Sequence, residues 1–176
     1  MESNLPIFYL ALLLIFLSGA GVVILRQIIR NRSTEKAFSQ LRNKLSKESG
    51  TAQEYYELGT IFLRKKLFVQ AVNAFQKSLR AKDLVPGEDT ALVYNGLGYA
   101  HFAQEQYDLA IRQYKEALKA KPDYVTAHNN LGHAYERKKL TMQALEAYEE
   151  SLKLDPNNKT AKQRAESLRK RVTTTV

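Results

Sequence analysis

The amino-acid sequence predicts an all-α protein: one transmembrane helix, then an α-solenoid of three helical hairpins, then a C-terminal capping helix. Three observations predict it. Residues 91–124 and 125–158 can be laid over one another without a gap, and a third copy fits residues 52–85. Within the copies, small and large residues recur at fixed offsets, which is the pattern of one supersecondary unit repeated. Ahead of the copies, no residue from Ser3 to Leu25 is charged, and Ile7 to Leu25 is nearly all apolar.

The N-terminal run comes first. At 1.5 Å per residue, a helix from Ile7 to Leu25 is about 28 Å long, close to the hydrocarbon thickness of a bilayer. Two readings are open, an uncleaved anchor and a cleaved leader. A leader carries positive charge before its apolar stretch, whereas this chain opens Met1-Glu2-Ser3-Asn4. Ser18 and Ala20 offer a weak small-x-small cleavage pattern. The cations instead follow the run, at Arg26, Arg30, Arg32 and Lys36. That order favours an anchor, and the positive-inside rule keeps the basic flank on the cytoplasmic or stromal side. Residues 1–25 are therefore assigned to the transmembrane helix.

Residues 26–50 form a basic juxtamembrane helix or linker. They suit an anionic membrane surface as well as they satisfy the orientation rule. Phe38, Leu41 and Leu45 recur at three and four, the spacing of one helical face. Gly50 is expected to break this helix. Thr51 and Glu54 make a capping-box pair that starts the next.

Residues 51–158 hold the repeats. Leu58-Gly59, Leu97-Gly98 and Leu131-Gly132 coincide, as do Phe62, His101 and Tyr135. Further along, Ala71, Ala110 and Ala144 coincide, followed by Phe75, Tyr114 and Tyr148. Pro122 and Pro156 share the offset that Asp83 occupies in the first copy. A 34-residue period with these residues is the signature of a tetratricopeptide repeat. Each unit is two antiparallel helices, and the glycine and alanine mark where they cross, so that a side chain larger than a methyl would part the backbones. Proline cannot continue a helix interior and ends the second helix. One hairpin cannot bury its apolar face alone, so the units stack. After the first unit, Pro86-Gly87 predicts a longer loop, with Asp89 or Thr90 capping the next helix.

Residues 159–176 close the chain. Asn158 is placed to cap a last helix, with Ala161, Ala165, Leu168 and Val172 on one stripe and cations on the other faces, as a terminal solvating helix requires. The Thr-rich end from Thr173 is expected to fray.

Composition excludes several classes of function. The chain has 176 residues, no cysteine and a net charge of +9. Residues 52–158 carry fourteen cations against fourteen acids, so the excess sits in the flanks, against the basic folded face that nucleic-acid binding needs. There is no phosphate loop, metal-ligand cluster, cofactor motif or nucleophile-base constellation. His128 and His133 lie on different helix faces, and His101 occupies a packing position. An enzyme is not indicated. A three-repeat stack instead offers a concave protein-binding groove lined by the first helix of each unit. The lining positions are Gln53, Tyr56, Thr60 and Leu63, then Leu92, Asn95, Tyr99 and Phe102, then Thr126, Asn129, His133 and Glu136. Amides there suit a partner's backbone and rings its apolar side chains. Some tetratricopeptide cochaperones clamp a C-terminal carboxylate. The clamp positions here are Tyr56, Thr60, Gly96, Thr126 and Asn130, without a cation, which departs from that pattern.

The N-terminal half adds a more specific likeness. Leu5-Pro6-Ile7, Leu25-Arg26-Gln27, the basic stretch from Thr34-Glu35-Lys36 to Lys47, and Gly50-Thr51-Ala52-Gln53-Glu54 entering three repeats resemble the small tetratricopeptide proteins of photosystem I assembly, encoded in cyanobacteria and some algal plastids. The resemblance implies a thylakoid membrane location, single-pass, with the repeats on the stromal or cytoplasmic side. It implies photosystem I subunits or assembly intermediates as the client. Two other functions fit the residues, an exported envelope scaffold for secretion or pilus assembly and a lipid-surface regulator acting through the basic flanks.

Overall fold

A computed structural model describes residues 5–174, without the side chains at 5, 6, 30, 31, 33, 34, 37, 173 and 174. All eight elements are α-helices: α1 Leu5–Lys47, α2 Ala52–Arg64, α3 Phe68–Arg80, α4 Glu88–Ala103, α5 Tyr107–Ala120, α6 Val125–Arg137, α7 Thr141–Leu154 and α8 Lys159–Thr174. They fall into two units, Met1–Lys47 and Glu48–Val176.

The first unit is α1. It runs 43 residues without interruption, about 64 Å at helical rise. Its segment Ile7–Ile29 is long and apolar enough to cross a membrane. Beyond it, Phe38, Leu41 and Leu45 are half-buried among exposed neighbours, as their spacing predicts. Arg26, Arg32 and Lys36 are exposed; the side chain of Arg30 lies outside the described residues. The helix stops at Lys47, three residues before the glycine expected to break it. The Gly50 N–H donates to the Tyr55 hydroxyl at 3.1 Å. Residues 50 and 51 are thus already committed to the start of α2.

That start follows the sequence closely. Thr51 Oγ1 accepts from the Glu54 N–H at 3.1 Å, and Glu54 Oε2 accepts from the Thr51 N–H at 3.0 Å, the reciprocal pair of a capping box. Asp83 adds a contact from the far end of the hairpin. Both its oxygens accept from the Ala52 N–H, at 3.0 and 3.2 Å. Ser78 Oγ meanwhile donates to the Ala52 carbonyl at 2.7 Å.

The second unit stacks three hairpins, α2–α3, α4–α5 and α6–α7, with α8 on α7. Each hairpin turns through one residue of positive φ at the same repeat position: Lys66, Glu105 and Lys139. There the N–H of the following residue reaches back five residues, for example Leu67 to the Phe62 carbonyl at 2.9 Å, closing α2 with a Schellman-type cap. The glycines face rings rather than bare backbone. A Cβ on Gly59 would lie 2.6 Å from Phe75, on Gly98 2.6 Å from Tyr114 and on Gly132 2.7 Å from Tyr148. Even a methyl is therefore too large at these crossings, a tighter limit than the repeat pattern predicts. Phe75 is held from both sides, since a Cβ on Gly96 would meet it at 2.7 Å.

One expectation at a helix end needs correcting. Neither Asp89 nor Thr90 caps α4, which begins at Glu88 after Gly87. Gly87 turns the chain with φ +101°, and Glu88 and Asp89 become first-turn acids at the positive end of the helix dipole. Thr90 Oγ1 donates instead to the Val85 carbonyl at 2.9 Å. At the C-terminus, α8 extends to Thr174; Thr175, where fraying is also expected, lies outside the described residues. Asn158 caps α8 as expected, its Oδ1 accepting from the Ala161 N–H at 3.1 Å.

Candidate protein-binding groove

The first helices of the hairpins, α2, α4 and α6, touch one another directly as well as through α3 and α5. They carry every groove position read from the sequence, and those positions differ in how much of their chemistry is free. At the α2 end, Tyr56 is half-buried with its ring 5.9 Å from Phe75, and burial raises its phenol pKa. It lines a small cleft of about 70 Å³ with Gln53 and Leu92. Thr60 spends its hydroxyl proton on its own helix, donating to the Glu57 carbonyl at 2.8 Å. Gln53 is similarly turned to Glu57, at 3.0 Å.

In the middle, α4 and α6 are joined by side-chain amides. Asn130 Nδ2 donates to Asn95 Oδ1 at 2.9 Å, and Asn95 Nδ2 donates to the Tyr124 hydroxyl at 3.4 Å. Asn95 is thus a bridge between repeats. Tyr99 beside it is 47% exposed, a large ring on a helix surface with no ring partner among the described contacts. Phe102 is half-buried, edge-on to Tyr107 at 5.4 Å, and belongs as much to the core as to the groove.

At the α6 end the polar groups converge. Glu136 Oε1 accepts from the Tyr148 hydroxyl at 2.6 Å, and Glu136 Oε2 lies 3.5 Å from Arg164 Nη1 of α8. Its charge is therefore compensated from within the chain. The His133 ring stands edge-on to Tyr148 at 5.8 Å. Burial, helped by the Arg164 charge and opposed by Glu136, lowers the His133 pKa, so the ring is held neutral. Asn129 Oδ1 and His133 Nε2 are buried without a protein hydrogen-bond partner among the described residues. Thr126 is exposed and Leu63 half-buried.

Three contributors escape the sequence reading: Tyr124, Tyr148 and Arg164. Tyr148 reads there as a core ring, and its hydroxyl reach to Glu136 has no sequence signal. Arg164 lies 28 residues from Glu136 on the capping helix, where every exposed cation looks alike. Asn130 is named above only as a clamp position, and its partner Asn95 sits one place earlier in the preceding repeat. His101 takes the packing position predicted for it, buried with Nδ1 2.6 Å from Gln106 Oε1, and His128, half-buried, has Nε2 2.9 Å from the Pro122 carbonyl.

Residues 98–139 match the family described as TPR repeat, and residues 125–158 match that described as Tetratricopeptide repeat. The chain is 37% identical over 127 residues to the uncharacterized protein ycf37 of Cyanophora paradoxa, covering 72% of this chain and 73% of that one. The chain belongs to the ycf37 family. A second ycf37 protein, from Guillardia theta, is 33% identical over 71% of this chain and 70% of its own length. The Arabidopsis thaliana tetratricopeptide repeat domain-containing protein PYG7, chloroplastic, is 37% identical over 72% of this chain but only 42% of its own length. Among solved structures, the Arabidopsis OM64 TPR domain superposes with a TM-score of 0.62 at 24% identity, over 68% of this chain and 94% of that one. The first TPR of Spaghetti (RPAP3), bound to an HSP90 peptide, superposes with a TM-score of 0.64 at 20% identity, over 72% and 96%. These likenesses establish the tetratricopeptide fold for the ycf37-family chain.

Proposed function

We propose that this protein is a membrane-anchored, non-enzymatic scaffold of the thylakoid that serves the assembly or stability of photosystem I. The observation that carries the scaffold reading is the row of positions along α2, α4 and α6, where Tyr56, Leu92 and Tyr99 offer apolar surface beside the half-buried side chains of Asn129 and His133. An extended client segment laid across that row buries its side chains on the rings and turns its backbone to the amides. A stack of the same fold accepts an HSP90 peptide in Spaghetti; the clamp cations expected for such a tail are missing here, so the client is of another kind. Anchoring rests on the apolar segment Ile7–Ile29 followed by cations. It makes capture of a co-anchored client effectively intramolecular. The photosystem I assignment rests on the N-terminal likeness and on plastid relatives such as PYG7, chloroplastic.

Two experiments test the proposal. Deleting the gene should lower photosystem I accumulation and spare photosystem II; equal loss of both rejects the assignment. Tyr99→Ala combined with Asn129→Ala should weaken co-purification of the client from solubilised membranes without unfolding the repeats. Undiminished co-purification moves the site off this face.

A further inference from the structure

The neutral total of the repeats conceals a division between them. The first hairpin with its loop, residues 52–85, carries six cations against the three acids Glu54, Glu57 and Asp83. Residues 86–158 carry eight cations against eleven acids. Three of the six, Lys77, Arg80 and Lys82, lie towards and just past the end of α3, and the other three, Arg64, Lys65 and Lys66, at the end of α2.

Repeat alignment shows how the other hairpins treat these positions. Arg80 corresponds to Lys119 and Lys153, which lie 2.6 and 2.5 Å from Glu116 and Glu150 one turn earlier. Lys77 stands in the place of those two glutamates. The first hairpin therefore sets a second cation where its successors set the neutralising acid. Lys82 corresponds to Lys121, which pairs with Glu88 at 2.6 Å. Glu88 lies 33 residues before Lys121, and Lys82, counted back the same way, reaches Ser49, which has no charge to offer.

These three cations border one open basin of about 710 Å³, together with Tyr55, Gly50 and Asp83. All three are exposed. Lys77 Nζ lies 5.6 Å over the Tyr55 ring, a contact that steers the ammonium without cancelling its charge. The Asp83 carboxylate is spent on the Ala52 N–H at the positive end of α2. The basin is thus a depression with an aromatic wall, three cations and the single carboxylate of Asp83, a net positive rim.

We infer that this basin is a second docking site, distinct from the groove, and that it takes an acidic segment of a partner protein. Charge complementarity selects an anionic occupant. A polypeptide is the anionic occupant that can also lay side chains on the Tyr55 ring walling the basin.

The test uses the full-length chain in phosphatidylcholine nanodiscs, with a fluorescein-labelled Glu-rich peptide followed by anisotropy. The peptide should bind with a steep salt dependence, and Arg80→Glu with Lys82→Glu should weaken it about tenfold. Arg80→Gln with Lys82→Gln should weaken it less. Reversal of the α8 cations Lys159 and Lys162 should leave binding unchanged. No binding, or equal weakening by the α8 reversal, overturns the proposal. Loss of peptide binding when the nanodiscs contain phosphatidylglycerol also overturns it, assigning the basin to lipid headgroups.

Discussion

Substituting Gly98 by alanine probes the packing that makes the stack. In isolation the change favours helix by about 1 kcal/mol. In the folded chain the new Cβ would stand 2.6 Å from Tyr114 Cε1 and 2.7 Å from Cδ1, roughly 1 Å inside ordinary carbon-carbon contact. Tyr114 is only 1% exposed, so its ring has little room to retreat. Overpacking of this kind costs about 1–3 kcal/mol, and so tight a contact with a buried ring lies at the upper end. The expected net change is a loss of about 1–2 kcal/mol, read as a drop in Tm of several degrees by far-UV circular dichroism of the full chain in mild detergent. The sign should reverse once the ring is gone. In a Tyr114→Ala background, itself costing about 3–5 kcal/mol, Gly98→Ala should stabilise by up to about 1 kcal/mol. Equal effects in both backgrounds would refute the contact as the reason for glycine.

Three further outcomes follow from the same contacts. Asp83→Ala removes both acceptors of the Ala52 N–H and should cost about 1 kcal/mol; an unchanged Tm would mean that the capping box alone suffices. Ser78→Ala leaves the Ala52 carbonyl without its buried partner and should cost about 1–2 kcal/mol, measured the same way. His133 takes a proton less readily folded than unfolded. Below its ordinary pKa of 6.5 the unfolded chain therefore binds more protons, and stability falls as pH drops through and below that value. His133→Gln should flatten the dependence of Tm between neutrality and mild acid, while an unaltered slope would assign it to carboxylates.

What the sequence determined by itself is whatever depends on neighbours along the chain. The Thr51–Glu54 box, the Asn158 cap, the stop before each proline and the order of hairpins are all set within a few residues or by the 34-residue period. The long apolar run is equally legible, because crossing length depends on residue count alone. Where local signals competed, at Gly50 and Gly87, the sequence did not say which would end or begin a helix. At Gly50 the N–H is spent on the Tyr55 hydroxyl, and at Gly87 the chain turns with φ +101° straight into α4. Only the tertiary structure decided which polar groups are spent and which are free. Asp83 reaches Ala52 across 31 residues and Asn130 reaches Asn95 across 35. Glu136, which the sequence offers as an open acid, is answered by Arg164 on the last helix. Lys121 is neutralised by Glu88 of its own hairpin and Lys119 by Glu116 one turn earlier, whereas the first hairpin has Ser49 and Lys77 at the corresponding places.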